Sequence, residues 1–290
     1  MAGLNNKILL AEGDSWTAGD IIDPALGLDL SYVNDPRNND YRLPRVWPHK
    51  LAKRLRVDVK NSSSAGSSNQ GILNRTMCSV HELLKTYKPE DIYVIVGWSS
   101  PERKDFFYRD IDNKHQAHWD TLYPAELSHE FSHPGKTEFY KNYVQYFWNA
   151  EDYILRFINQ NIQLHSYLKS LNIQHTFFNA FYEPYAGVID TDFSFMVATN
   201  LYSSILETID DPSYYRGYMD PADPVFFKEF LKQMMNTVIF DDTFSSLIKT
   251  LREQYPDDKL IENFHPSEFS HGQWSKYLYR NLKGLKQWAM

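Results

Sequence analysis

Ile8-Leu9-Leu10-Ala11-Glu12-Gly13-Asp14-Ser15-Trp16 is the stretch on which the fold turns. A short apolar run that reads as a buried strand stops at Gly-Asp-Ser, which puts a serine hydroxyl on a turn at the carboxyl end of a first strand. Open α/β sheets assemble their sites at that end. Near the other terminus, Glu262-Asn263-Phe264-His265-Pro266-Ser267 sets an acid three residues ahead of a histidine, with a helical stretch behind it. Serine early, acid and histidine late, is one chain order in which an α/β fold builds nucleophile, base and orienter.

Outward from the first strand, the pattern predicts alternating strands and helices. A loop rich in Asp, Pro and Asn leads to a helix starting at Trp47, and Val57 to Asn61 reads as a second strand. The small residues 62 to 69 form a loop before a helix from about Asn69 to Tyr87. Ile92 to Val96 is apolar throughout, as expected of a central strand covered on both faces. Parallel pairing with right-handed crossovers is the default outcome. Residues 101 to 138 then break the rhythm: they are polar, aromatic and histidine-bearing, with little periodicity. One or two helices fill Phe139 to Leu171, and Gln174 to Asn179 is a fourth strand. Residues 180 to 225 are irregular and marked by Asp-Pro turns at Asp211, Asp220 and Asp223. Helices are predicted over Val225 to Thr237, Asp242 to Gln254 and Gly272 to Trp288. The expected organisation is one domain over residues 1–290 with insertions at about 101–138 and 180–240, whose aromatic content suits a pocket wall or a partner surface.

Four short blocks resemble the SGNH or GDSL-type serine hydrolases, a family of esterases and lipases. Gly13-Asp14-Ser15-Trp16 is similar to the first block, with Trp16 where the family name puts Leu. Asn61-Ser62-Ser63-Ser64-Ala65-Gly66-Ser67-Ser68-Asn69 resembles the second, and Val94-Ile95-Val96-Gly97-Trp98-Ser99-Ser100 the third. Ser99 stands there where the family has an asparagine. The last block is normally Asp-x-x-His; Glu262 replaces the aspartate and His265 keeps the histidine. Gly97-Trp98-Ser99-Ser100-Pro101-Glu102-Arg103 also looks like a sub-branch met in phages and bacteria. The resemblance implies a flavodoxin-like three-layer α/β/α fold with a mainly parallel sheet, and Ser15 as nucleophile. It further implies an oxyanion hole built from the N–H groups of Ser15 and Gly66, with Ser99 or Asn69 supplying a further donor.

The chemistry asks for each of these groups. A serine hydroxyl attacks an ester at neutral pH only when a base takes its proton, and imidazole suits that task. His265 is the candidate base and Glu262 the candidate orienter. Each residue also has a plainer reading: Ser15 as a capping turn serine, His265 as a surface histidine before Pro266, Glu262 as an exposed loop acid. Asp14 would organise its own turn, and Asn69 equally suits the N-cap of its helix. The expected activity is hydrolysis of small acyl esters, O-acetyl groups on carbohydrate among them, without a cofactor. The alternative is a non-catalytic binding or structural protein, such as a phage particle component, that retains the fold and meets virion or self-association partners through its aromatic insertions.

Composition excludes several other classes. The 290 residues are 42% apolar, enough for a sizeable core, and the formal net charge is -7 with a pI near 5.8. Lys and Arg form no long run, so no nucleic-acid partner is expected. Cys78 is the only cysteine, so no intrachain disulfide forms. With no signal-like start and no apolar stretch of membrane-spanning length, the expectation is cytoplasmic synthesis without a membrane anchor, compatible with later virion association. His115, His118, His129 and His133 lie close in sequence but fit no zinc spacing, so no metal site is expected.

Overall fold

The computed structural model describes residues 6–27, 35–109, 117–122, 134–147, 150–180, 239–240, 243–262, 265–282 and 284–290. In chain order the elements are β1 (Ile8–Glu12), α1 (Ser15–Ala18), α2 (Asn39–Arg42), α3 (Trp47–Leu55), β2 (Asp58–Asn61), α4 (Asn69–Leu83) and β3 (Ile92–Trp98). Next come β4 (Lys104–Arg109), β5 (Ala117–Leu122), α5 (Pro134–Tyr146), α6 (Ala150–Ser170), β6 (Gln174–Asn179) and β7 (Ile239–Phe240). The chain closes with α7 (Phe244–Leu251), α8 (Asp257–Leu260), β8 (Ile261–Glu262), β9 (His265–Pro266), α9 (Glu268–Asn281) and α10 (Leu285–Ala289).

The main sheet runs β2-β1-β3-β6-β7 and every pairing in it is parallel. Counting parallel strands alone, the order is 2-1-3-4-5, the flavodoxin-like arrangement whose switch point lies between β1 and β3. Side-chain alternation splits the core in two. Ile8, Leu10, Val94, Val96 and Trp98 pack on one face against α4 and α6; Leu9, Ala11, Tyr93 and Ile95 pack on the other against α3, α7, α9 and α10. The protein is therefore a three-layer α/β/α sandwich with a parallel sheet. No helix among the described residues is long and apolar enough to cross a membrane.

Three segments differ from the sequence expectation. The stretch read as aperiodic after residue 100 contains an antiparallel hairpin, β4 with β5, in which Lys104 faces Leu122 and Asp105 faces Thr121. Phe106 of that hairpin packs on Tyr140 and Tyr143 of α5 in a small separate core with Leu122. Lys-Asp-Phe-Phe-Tyr-Arg lacks strict alternation, which hid the strand. β7 is a two-residue fifth strand beside β6, too short to carry a period. The last helix is two: α9 ends at Asn281, and Gly284, at φ +87°, turns the chain into α10. The helix expected over Val225 to Thr237 and the three Asp-Pro turns lie outside the described residues. So do His115, His129 and His133.

The strands reach their carboxyl ends in close contact, and glycine makes that contact feasible. A Cβ on Gly97 would lie 2.9 Å from both Phe178 Cζ and Thr17 Oγ1, and one on Gly13 would lie 2.9 Å from the Gly97 carbonyl oxygen. Gly97→Ala is expected to destabilise by about 1–3 kcal/mol through overpacking. A urea midpoint unchanged from the parent would show that Phe178 and Thr17 yield without cost.

Candidate active site

β1 ends in Glu12 and the chain turns at Gly13. Asp14 caps the short helix α1: its carboxylate accepts from Trp16 N–H at 3.0 Å, and its carbonyl accepts from Thr17 and Ala18. Ser15 is thus the first residue of α1, where its own N–H has no intrahelical acceptor. His265 arrives on β9, and Ser267 anchors the chain immediately behind it. Ser267 N–H donates to Leu260 O at 2.9 Å, its hydroxyl donates to Lys259 O at 2.6 Å, and it caps α9 at Ser270. Ser270 adds a hydroxyl bond to Leu260 O. Both segments are fixed by short local bonds, and they bring Ser15 Oγ to 3.0 Å from His265 Nε2 across 250 residues of chain.

The same nitrogen has a second neighbour that the sequence did not single out. Asp20 Oδ2 lies 3.1 Å from His265 Nε2. Gly19 makes this approach feasible, since it holds φ +76° and a Cβ there would sit 2.1 Å from Val46 Cγ1. Burial raises the Asp20 carboxyl above the usual range; His265 and Arg42 pull it back, and Asp14 pushes it further up. Asp20 Oδ1 is buried without a hydrogen-bond partner among the described residues. Serine, imidazole and carboxyl therefore share one nitrogen. With Nε2 bare, it accepts the Ser15 hydrogen; with Nε2 protonated, it can donate to Asp20.

Glu262 is placed otherwise. It pairs in register with His265 across the β8–β9 ladder, which sets the two side chains on one face. Its side chain is exposed and makes no hydrogen bond among the described residues. His265 and Ser15 are brought together; Glu262 is near in backbone but unattached.

Beneath the serine turn lies a buried polar layer. Ser99 donates its hydroxyl hydrogen to Asp14 Oδ2 at 2.7 Å and accepts from Arg103 Nη1 at 3.0 Å. Asn69 clamps the Ser99 backbone twice: its oxygen accepts from Ser99 N–H at 2.8 Å and its amide donates to Ser99 O at 3.1 Å. The oxyanion role expected of Ser99 thus has no hydroxyl hydrogen to work with in this arrangement, and Asn69 ties the end of β3 to α4 with its oxygen and one of its two amide hydrogens. Nor is Asn69 the N-cap of α4. Ser68 takes that position, accepting from Gly71 N–H at 3.1 Å. Burial raises the Asp14 carboxyl, while Arg103, the Ser99 hydroxyl and the Trp16 amide draw it down.

Gly66 sits on a turn at φ +73°, with open space where a side chain would project. Its loop is tied to the serine turn, since Ser62 N–H donates to Ala11 O at 3.0 Å and Ser64 N–H to Gly13 O at 3.2 Å. The loop therefore lies at the β1 edge of the switch point. On the other side, Glu12 is fully buried and its Oε1 accepts from Arg75 Nε and Nη2 and from Gly13 N–H. Arg75 also donates to Ser67 Oγ at 2.8 Å. Burial lifts the Glu12 carboxyl to about 8 despite Arg75. No group of three or more His, Cys, Asp or Glu suited to a metal ion occurs among the described residues.

Comparison with solved structures finds similar folds at low identity. A member of the lipolytic G-D-S-L family from Veillonella parvula DSM 2008 is 10% identical, with 95% of this chain and 100% of that chain covered and a TM-score of 0.44. The psychrotrophic esterase EstA from Pseudoalteromonas sp. is 13% identical, with 97% and 98% covered and a TM-score of 0.42. LAE5, an alpha/beta hydrolase enzyme from the metagenome of Lake Arreo, Spain, is 12% identical, with 99% and 97% covered and a TM-score of 0.45. No curated protein matches the sequence. A family match covers residues 28–228, which include Gly66, Asn69 and Ser99 but neither Ser15 nor His265. On that match the chain belongs to the family described as "Family of unknown function (DUF6071)".

Proposed function

We propose that the protein is a serine esterase of SGNH type that cleaves small acyl esters, O-acetyl groups on carbohydrate among them. The observation that carries this reading is the 3.0 Å approach of Ser15 Oγ to His265 Nε2 at the carboxyl end of β1. The hydroxyl attacks the ester carbonyl while Nε2 takes its hydrogen. The oxyanion then faces the N–H of Ser15 and that of Gly66. His265 returns the proton to the departing alcohol, and the acyl group stays on Ser15. Water, deprotonated by the same nitrogen, attacks the acyl carbon and releases the acid, with the proton going back to Ser15. Incubation with a fluorophosphonate, with intact-mass and peptide analysis of the product, tests this. One adduct on Ser15 is expected, and an unlabelled, well-folded protein would end the proposal.

Asp20, rather than Glu262, serves as the acid of the site in this reading. Its carboxylate, 3.1 Å from Nε2, stabilises the imidazolium formed as serine attacks. Asp20→Asn is expected to lower kcat about tenfold, equivalent to roughly 1.4 kcal/mol of lost stabilisation, while Glu262→Gln changes it less than about twofold. The reverse ranking would restore Glu262 as orienter. A faster Asp20→Asn enzyme would mean that the carboxylate competes for the serine proton.

A second reading has its own support. Asp20 occupies the nitrogen that must receive the serine proton, the Ser99 hydrogen is committed to Asp14, and Phe107, Phe139, Tyr146 and Phe147 are exposed around β4 and α5. These favour a non-catalytic protein, such as a virion component, that binds a partner through its aromatic insertion. The fluorophosphonate experiment separates the two.

A further inference from the structure

The basic residues that look scattered in sequence converge where α3 meets α9. Lys50, Lys53 and Arg54 stand three and four residues apart and so share one face of α3. Lys276 faces them from α9, and the cavity between, about 690 Å³, is lined by these four cations. Glu268 is the one acid in that lining, and it is already engaged by Lys50 at 2.9 Å and Arg45 at 3.3 Å. Lys53 and Lys276 are exposed and make no ion pair among the described residues. A chain of net charge -7 thus keeps a local excess of positive charge along one groove. In the rest of the wall Gln273 offers an amide, while the Phe269 ring is engaged by Tyr255 at 4.9 Å and by Lys259 Nζ at 4.5 Å. α9 connects the groove along the chain to the proposed catalytic centre, since it opens with Glu268 three residues after His265, and it is tied to α3 where His271 accepts from Trp47 N–H at 3.3 Å.

We propose that the groove between α3 and α9 binds a carboxylated oligosaccharide, a run of uronic acid residues whose ester is presented to Ser15. Each part of the wall answers a part of that ligand. Lys53 and Arg54 from α3 and Lys276 from α9 offer cations from both walls to the carboxylates of the ligand, with Lys50 held by Glu268 at the rim. Gln273 exchanges hydrogen bonds with sugar hydroxyls. This inference rests on the esterase reading for the ester, and on the groove alone for the binding.

Binding is read by calorimetry, without hydrolysis, on the parent chain and on Lys53→Ser/Lys276→Ser. The probes are hexagalacturonate, the neutral maltohexaose, tripolyphosphate and oligo(dT). Hexagalacturonate is expected to bind at least about tenfold more tightly than maltohexaose. That affinity should fall at least about tenfold in the double variant, whose circular dichroism stays that of the parent, and should weaken as sodium chloride rises from about 50 to about 300 mM, as screening demands. Equal binding of the neutral hexamer, or an unaffected double variant, overturns the proposal. So does tripolyphosphate or oligo(dT) binding as tightly as the sugar, which would make the groove a phosphate site. Hexagalacturonate binding to a chain that takes up no fluorophosphonate would sink the esterase reading and leave the groove standing; labelling without binding would do the opposite.

Discussion

Ser15→Ala and His265→Ala are each expected to reduce hydrolysis of an activated ester such as p-nitrophenyl acetate by about 10³-fold or more. The first removes the attacking oxygen. The second leaves a hydroxyl that, at neutral pH, has no base at 3.0 Å. Neither change endangers the fold. Alanine is a strong helix former at the first position of α1, and its small side chain fits where the serine is buried. His265 is only partly buried, and Ser267 and Ser270, not the imidazole, fasten its segment to Lys259 and Leu260. The loss should therefore fall on kcat with melting temperature nearly unchanged. Activity retained within about tenfold in either variant would show that the measured hydrolysis comes from somewhere other than this pair. Parallel losses in both are the mark of groups acting as one unit, because the nucleophile without its base is nearly as ineffective as no nucleophile at all.

Much of this site was legible because its parts are local. A buried run ending in Gly-Asp-Ser fixes where β1 stops and which hydroxyl stands at the end. The burial of Ile92 to Val96 on both faces makes β3 central, and so locates the switch point. What the sequence could not convey were contacts made by folding distant segments together. Asp20 carries no local signature; it reaches His265 only because Gly19 reverses the chain under Val46. Ser99 and Asn69 look like free donors in a motif, yet the Ser99 hydroxyl hydrogen goes to Asp14 and one Asn69 amide hydrogen goes to the Ser99 backbone. The basic groove is invisible for the same reason. Three of its cations are spaced for one helix face, but Lys276 lies 222 residues after Arg54 and joins them only through α9 packing on α3.

The acids around the serine turn give the fold a pH dependence opposite to that of most surface carboxylates. Glu12 rises from 4.5 to about 8, chiefly because burial penalises its charge more than Arg75 favours it. Its Oε1 accepts from Arg75 twice and from Gly13 N–H, whereas Oε2 is buried with no hydrogen-bond partner among the described residues. Between those two values the folded chain holds a proton on Glu12 that the unfolded chain has released, so stability falls as pH rises from about 4.5 through about 8. Below pH 6.5 a second slope opposes it: His271, which is buried, and His49 and His175, which are partly buried, are lowered by desolvation to about 3, 4 and 4, and unfolding lets them take up protons. Maximum stability should therefore sit on the acid side of neutrality. Glu12→Gln keeps the shape, leaves Oε1 able to accept from Arg75, and removes the titration. Urea unfolding at about pH 5, 7 and 9 should show the parent losing on the order of a few kcal/mol relative to the variant across that range, with the histidine contribution common to both and cancelling. Curves that stay parallel would mean that Arg75 holds Glu12 ionised throughout. The slope bears on function because Glu12 and Arg75 contact Gly13 directly, one residue before Asp14 caps the turn that carries Ser15. The turn that carries Ser15 is best held when Glu12 is neutral. Glu12→Gln, by removing that titration, should extend the alkaline range over which the fold survives.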